Sequence, residues 1–212
     1  MIEKRYQVFV SSTFADLQEE RREIMQALLE LDCIPSGMEL FPAANDDQWT
    51  LIKRVIADCD YYIVIIAGRY GSLHPSGVSY TEMEYRYALE LGKPVIAFLH
   101  KSPDNIPAKK TEKDPAQEQK LEAFRALAQS KMVQFWDGPT DLGSKVSRSL
   151  IKLIKQYPAT GWVRADNLPS EDMASELFEL RITVQNLKAE LAAVSSDAPQ
   201  GTESLAQGND KQ

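Results

Sequence analysis

Short apolar runs alternate with amphipathic stretches through roughly the first 160 residues. Tyr6–Ser12 (YQVFVSS) is a β-rich run, and Phe14–Asp32 follows with Leu17, Ile24, Met25, Leu28 and Leu31 at helical spacing. Ser12 or Thr13 is expected to cap that helix, and Glu19 and Glu20 suit its first turns. Cys33–Phe41 reads as a weaker second strand, with Pro35 limiting its start. Trp49–Asp60 carries Leu51, Ile52, Val55, Ile56 and Cys59 on one side of a second helix. Tyr61–Ala67 (YYIVIIA) is apolar throughout, as expected of a central parallel strand covered on both faces. A glycine-containing loop, Gly68–Gly77, leads to a third helix over Tyr80–Leu91, with Met83, Tyr87 and Leu91 as its core-facing stripe and Gly92 and Pro94 as its stop. Val95–Leu99 is the fourth strand. Residues 101–115, with three prolines and several lysines, form a solvated loop or insertion. Asp114 then precedes Pro115 as cap and first helical position of a helix bearing Leu121, Phe124 and Leu127. Met132–Trp136 is a fifth short strand, and 141–156 a last helix through Leu142, Val146, Leu150 and Leu153.

Repeated strand-then-helix units imply parallel strands joined by right-handed crossovers, hence an open, doubly wound α/β sheet of five strands. Ligands of such sheets bind at the carboxyl ends of the strands, near the switch in strand order. Beyond the sheet the period changes. Met173, Leu177, Leu180, Val184, Leu187, Leu191 and Val194 are separated by alternating steps of four and three, a heptad seam. Glu176 is set to pair with Arg181 of a partner helix, and Phe178 and Ile182 lie off the seam, widening the apolar surface. Self-association through this helix and packing back on the domain are both open from sequence. The expected organisation is an α/β domain over 1–165, a linker over 166–172, a heptad helix over 173–194 and a disordered tail over 195–212, rich in Ser, Asp, Gln, Gly and Pro.

Composition narrows the classes. The chain has 212 residues, 43% apolar and 26% charged, as expected of a globular domain with appendages. Its 24 basic and 31 acidic side chains give a net charge of -7, against a nucleic-acid-binding surface. Two cysteines without partner histidines build neither a zinc site nor a disulfide framework, and a reducing, cytoplasmic compartment is the simplest expectation. Cys33 and Cys59 are expected to be buried and inert. No apolar run reaches membrane-spanning length, and Met1 leads directly into charge and a strand with no signal peptide, so neither a membrane nor a metal is expected.

Candidate chemistry sits at the strand ends. Ser11, Ser12, Thr13 and Phe14 close the first strand, and their hydroxyls and following amides suit a phosphate or sugar hydroxyl; helix capping alone accounts for them equally. Glu39, near the edge after the second strand, suits a ribose hydroxyl or is a surface carboxylate. Arg69 in Gly68-Arg69-Tyr70-Gly71 suits a phosphate or a structural carboxylate pair. Helix three opens Ser79-Tyr80-Thr81-Glu82-Met83-Glu84-Tyr85. Glu84 borders the core-facing stripe, whereas Glu82 points elsewhere. A carboxylate in this position is placed to stabilise or attack an electron-poor sugar carbon, because a cleaving glycosidic bond passes through an oxocarbenium-like state. Glutamate also simply favours helix N-termini. The candidate set is therefore Glu84 as catalytic residue, with Ser11, Ser12, Thr13, Phe14, Glu39, Arg69, Tyr70, Gly71, Tyr80, Thr81 and Glu82 as binding residues. Asp16 and Arg21 are expected to pair near the first helix. Trp49 offers a base-stacking face or a core contact, and His74 and His100 lack triad-like neighbours.

Five stretches together resemble a TIR-like family of unknown function: VFVSSTFADLQEERREIMQALLEL (8–31), GMELFPA (37–43), RYGS (69–72), SYTEMEYRYALELGKPVIAF (79–98) and GWVR (161–164). That family is similar to Toll/interleukin-1-receptor (TIR) domains and to nucleoside 2-deoxyribosyltransferases. The latter carry E-x-G-Y-A-x-A-L-G-K around a catalytic glutamate, and counting back from Gly92-Lys93 places Glu84 on it, with Tyr85-Arg86-Tyr87-Ala88 replacing part of the small-residue stretch. The resemblance implies a flavodoxin/TIR-like sheet and a nucleotide glycohydrolase with NAD as substrate rather than cofactor. It further implies a place in bacterial antiphage defence beside a sensor protein, with homo-oligomerisation through 173–194. A non-catalytic TIR-like signalling module and a deoxyribosyltransferase-like enzyme are the alternatives.

Overall fold

The computed structural model describes residues 3–37, 48–168 and 170–196, which fall in two compact units divided between Val163 and Arg164. In the first unit the strands β1 (Gln7–Ser12), β2 (Ile34–Ser36), β3 (Tyr61–Ile66), β4 (Val95–His100) and β5 (Val133–Trp136) form one parallel sheet in the order β2-β1-β3-β4-β5. The helices are α1 (Gln18–Glu30), α2 (Gln48–Asp58), α3 (Tyr80–Glu90), α4 (Pro115–Gln129) and α5 (Pro139–Gln156). The five-stranded parallel α/β architecture expected from sequence is the one observed. Strand order reverses at β1 and β3, whose carboxyl ends flank the crevice where such sheets receive ligands.

Alternation along the strands sorts the core into two layers. Val8 and Val10 of β1 and Ile63 and Ile65 of β3 pack with Ile24 and Leu28 of α1 and Val146 and Leu150 of α5. Phe9, Tyr62, Val64 and Ile66 pack on the opposite face with Ile52 and Ile56 of α2, Tyr85 and Ala88 of α3, and Leu121 and Phe124 of α4. All six residues of β3 are buried, because helices cover both faces. Each such large side chain contributes about 1.5–3 kcal/mol of transfer free energy.

Several expectations need correction. Neither Ser12 nor Thr13 caps α1: residues 14–16 form a bend, the N-cap is Leu17 with no side-chain hydrogen bond, and both hydroxyl residues lie too early in the chain to reach it. Asp16 and Arg21 do not pair. Arg21 donates to the Ser12 hydroxyl, while neither Asp16 carboxylate oxygen has a hydrogen-bond partner. The buried residues of α3 are Thr81, Glu82, Glu84, Tyr85 and Ala88, not Met83, Tyr87 and Leu91, so Glu82 does not point away from the protein; the helix is rotated so that Tyr85 meets the sheet at Tyr62. Segment 101–114 is not featureless. It holds short 3₁₀ turns at Pro103–Asn105 and Ala108–Lys110, and Asp114 caps α4 as expected by accepting from the Ala116 amide at 2.9 Å. The second strand is observed only as Ile34–Ser36; residues 38–41 of the expected Cys33–Phe41, with Glu39, lie outside the described residues.

The second unit contains a 3₁₀ turn at Ala165–Asn167 and the helix α6 (Glu171–Ser196), which begins before and ends after the expected 173–194. Among the described residues no helix is long and apolar enough to cross a membrane.

Candidate active site

A cleft of about 580 Å³ opens at the carboxyl ends of β1 and β3, on the face covered by α2, α3 and α4. Three segments expected from sequence meet in it. The β1–α1 turn brings Ser12, Thr13 and Phe14, the β3–α3 loop brings Arg69 and Gly71, and the first turns of α3 bring Tyr80, Thr81 and Glu84. Ser79 fixes the start of α3, its hydroxyl accepting from the Glu82 amide at 3.2 Å.

Glu84 is only 4% exposed yet lines the cleft, and the Ser11 hydroxyl donates a short hydrogen bond to its Oε2. Ser11 points to the α3 side because it alternates with Val10, which packs on the α1/α5 side. Tyr62 lies beneath. Its phenol is pushed well above its ordinary pKa, first by burial and then by the negative charge of Glu84. Ser12 donates to the Thr13 carbonyl at 2.9 Å and accepts from Arg21. Arg69 lines the cleft but forms no carboxylate pair among the described residues; it donates to the Lys109 carbonyl at 2.7 Å, and its buried Nε has no hydrogen-bond partner among them. Gly71 has φ +98°, and a Cβ there would stand 3.0 Å from the Thr13 methyl, so glycine lets these two walls approach.

Of the candidate binding set, Ser11, Tyr70 and Glu82 do not line the cleft. The Tyr70 hydroxyl donates to Glu82 Oε2 at 2.6 Å, and Arg86 binds Glu82 Oε1 from Nε at 2.8 Å and Nη2 at 2.7 Å. This consumes the carboxylate as a brace between the loop and α3, and burial followed by the Glu82 contact raises the Tyr70 pKa. Trp49 packs edge-on against Tyr87 at 5.9 Å, as a contact between α2 and α3. His74 bonds with Ser76, and His100 stands edge-on to Trp136. Burial pushes the thiols of Cys33 and Cys59 up to about 11, so both are poor nucleophiles.

Reading the sequence missed one wall. Glu112 and Gln117, from the presumed solvated insertion and α4, line the cleft, as do Asp16, Gln48, Ile52 and Ser72. The Glu112 amide donates to the Gly68 carbonyl at 2.6 Å, and the Tyr70 amide donates to Glu112 Oε2 at 3.3 Å. A Cβ on Gly68 would stand 2.7 Å from the Lys110 carbonyl oxygen. The close glycine contact is the one feature that could have signalled this docking. Among the described lining residues, Asp16, Glu84 and Glu112 are acidic and Arg69 is the sole cation. Such a cleft favours positive charge developing on a bound group, an effect strengthened where water is excluded.

The strand order and the crevice define a doubly wound α/β domain with its candidate site at the switch point. A family model described as a domain of unknown function (DUF4062) matches residues 7–151, and the chain belongs to that family. A search of curated proteins by sequence finds no match. Among solved structures, the chain is similar to the TIR domains in the activated Roq1 resistosome recognizing the pathogen effector XopQ (15% identity, 70% of this chain and 99% of that chain, TM-score 0.49). It is also similar to the Clostridium botulinum CMP N-glycosidase BcmB (18% identity, 68% and 98%, TM-score 0.41). A third similar structure is the diflavin flavoprotein A3 from a Nostoc species (13% identity, 72% and 99%, TM-score 0.33).

Proposed function

We propose that the cleft hydrolyses an N-glycosidic bond of a nucleotide, with NAD as the substrate and Glu84 as the residue that stabilises or captures the ribosyl cation. The observation that carries this reading is the setting of Glu84: a buried carboxylate at the switch-point crevice, held by Ser11 and exposed to a cleft rather than to bulk solvent. The C1–N bond breaks with its electron pair leaving on the base. The sugar carbon becomes electron-poor, and the carboxylate opposes that charge. Water then adds to the sugar carbon and loses a proton, so NAD yields ADP-ribose and nicotinamide. Arg69 meets a phosphate, and the hydroxyls of Thr13 and Thr81 meet the ribose. The acidic lining supports the same reading, since it favours a cationic transition state. The resemblance of 79–98 to the deoxyribosyltransferase motif adds weight at position 84, and the resemblance to the TIR-like family extends the reading to an effector in bacterial antiphage defence. A deoxyribosyltransferase would use the same glutamate on a different substrate, a deoxynucleoside, and pass the sugar to a second base instead of water.

The second reading is a non-catalytic self-associating module, favoured by the exposed apolar positions of α6. One experiment separates the two. The full chain is incubated with NAD and a panel of nucleoside monophosphates, and free base is followed by mass spectrometry for wild type and Glu84→Gln. Base release lost only in the variant supports the enzyme; release equal in both rejects the role of Glu84.

A further inference from the structure

We infer that α6 is one strand of a parallel, in-register, two-stranded coiled coil formed with a second copy of this chain. The inference stands on α6 alone and is independent of the glycosidic reading. Met173, Leu177, Leu180, Val184 and Leu187 follow the heptad spacing as core positions, and they stand 49–61% exposed, far from the burial such side chains reach in a core. Met173, Leu180 and Leu187 occupy d positions and Leu177 and Val184 a positions; leucine at d around the β-branched Val184 at the central a position suits two strands.

The flanking charges choose the orientation. Glu176 and Glu190 occupy g positions, and Arg181 and Lys188 occupy e positions. In a parallel pair each g residue faces the partner's e residue five positions on, so Glu176 of each helix meets Arg181 of the other. An antiparallel pair that overlaps the whole seam sets g against g and e against e. Glu176 then faces Glu190, and Arg181 faces Arg181. Like charges oppose that arrangement, and the self-complementary arrangement is the two-fold one in which both chains enter the coil from the same end. Phe178 and Ile182 fall on b and f positions, away from the seam.

Sedimentation equilibrium of the full chain should give a species of twice the 23.8 kDa protomer. The variants Arg181→Glu/Lys188→Glu and Glu176→Lys/Glu190→Lys should each raise the dissociation constant at least about tenfold, and mixing them should restore the dimer. Orientation is read from Leu180→Cys. The parallel coil oxidises to a covalent dimer at this position, while Cys33 and Cys59 stay unreactive because they are buried. A wild-type monomer at ~100 µM, from α6 packing on its own domain or awaiting another protein, overturns the inference. So does an assembly larger than two, a charge-swapped variant that still dimerises alone, or a disulfide that forms only between Leu180→Cys and Val184→Cys chains.

Discussion

Replacing Ser11 by alanine removes the hydroxyl that holds Glu84 without touching the carboxylate itself. Ser11 is 1% exposed, so bulk water does not replace the lost donor readily. A hydrogen bond to a charged group contributes about 1.5–3 kcal/mol, and each ~1.4 kcal/mol is tenfold, so kcat for base release should fall roughly 10- to 100-fold. KM should change little, because Ser11 acts through Glu84 and does not itself line the cleft. Losing a donor to a carboxylate disfavours its ionised form, so the acid limb of the pH–rate profile should move to higher pH. Ser11→Thr, which keeps a hydroxyl, should recover most of the rate. The assay is steady-state release of free base across pH, with thermal unfolding as the control. Unchanged kcat in a folded Ser11→Ala protein would refute the positioning role. A loss as complete as that of Glu84→Gln, with no shift in the pH profile, would refute it in the other direction.

Three further outcomes follow from other contacts. Gly68→Ala places a methyl 2.7 Å from the Lys110 carbonyl oxygen and should cost about 1–3 kcal/mol, seen as a lower Tm by calorimetry and increased hydrogen exchange at residues 108–112. Tyr70→Phe deletes the 2.6 Å bond to Glu82 and should lower stability by about 1–2 kcal/mol in urea titration while leaving KM unchanged; a large KM effect would return Glu82 to the binding set. The pKa of His100 lies below its ordinary value of 6.5, chiefly because burial penalises the imidazolium. The unfolded chain therefore takes up this proton first, so the stability contribution is full above about pH 6.5 and falls as pH drops below it. His100→Gln should flatten that part of the stability–pH curve, and an unaltered curve would contradict the assignment.

The sheet was legible because β3 is apolar on both faces and because the helices between strands carry clear apolar periodicity. Strand pairing was not legible: nothing local in Val8–Ser12 states that it lies between β2 and β3. The three segments of the cleft were recognisable as strand ends, yet the fourth, Glu112 and Gln117, was not. Its lysines and prolines read as solvated, while its docking depends on one backbone bond to Gly68 and on contacts of Arg69 and Glu112 with backbone groups, which no apolar pattern encodes. The orientation of α3 was misjudged because Met83, Tyr87 and Leu91 make as good an apolar stripe as Thr81, Tyr85 and Ala88, and only the neighbouring sheet decides between them. The same rotation takes Glu84 from the border of the helix into the buried face. Glu82, one turn position away, is consumed by Tyr70 and Arg86, a pairing invisible at sequence level because Tyr70 lies 12 residues earlier.

The most direct measurement is the mass-spectrometric comparison of base release from NAD by wild-type protein and Glu84→Gln, at matched thermal stability. The account predicts nicotinamide and ADP-ribose from the wild type and a fall of roughly a thousandfold or more in the variant, as for removal of a group that acts on the reacting atoms. Nicotinamide release that persists at the wild-type rate in the folded variant would contradict it.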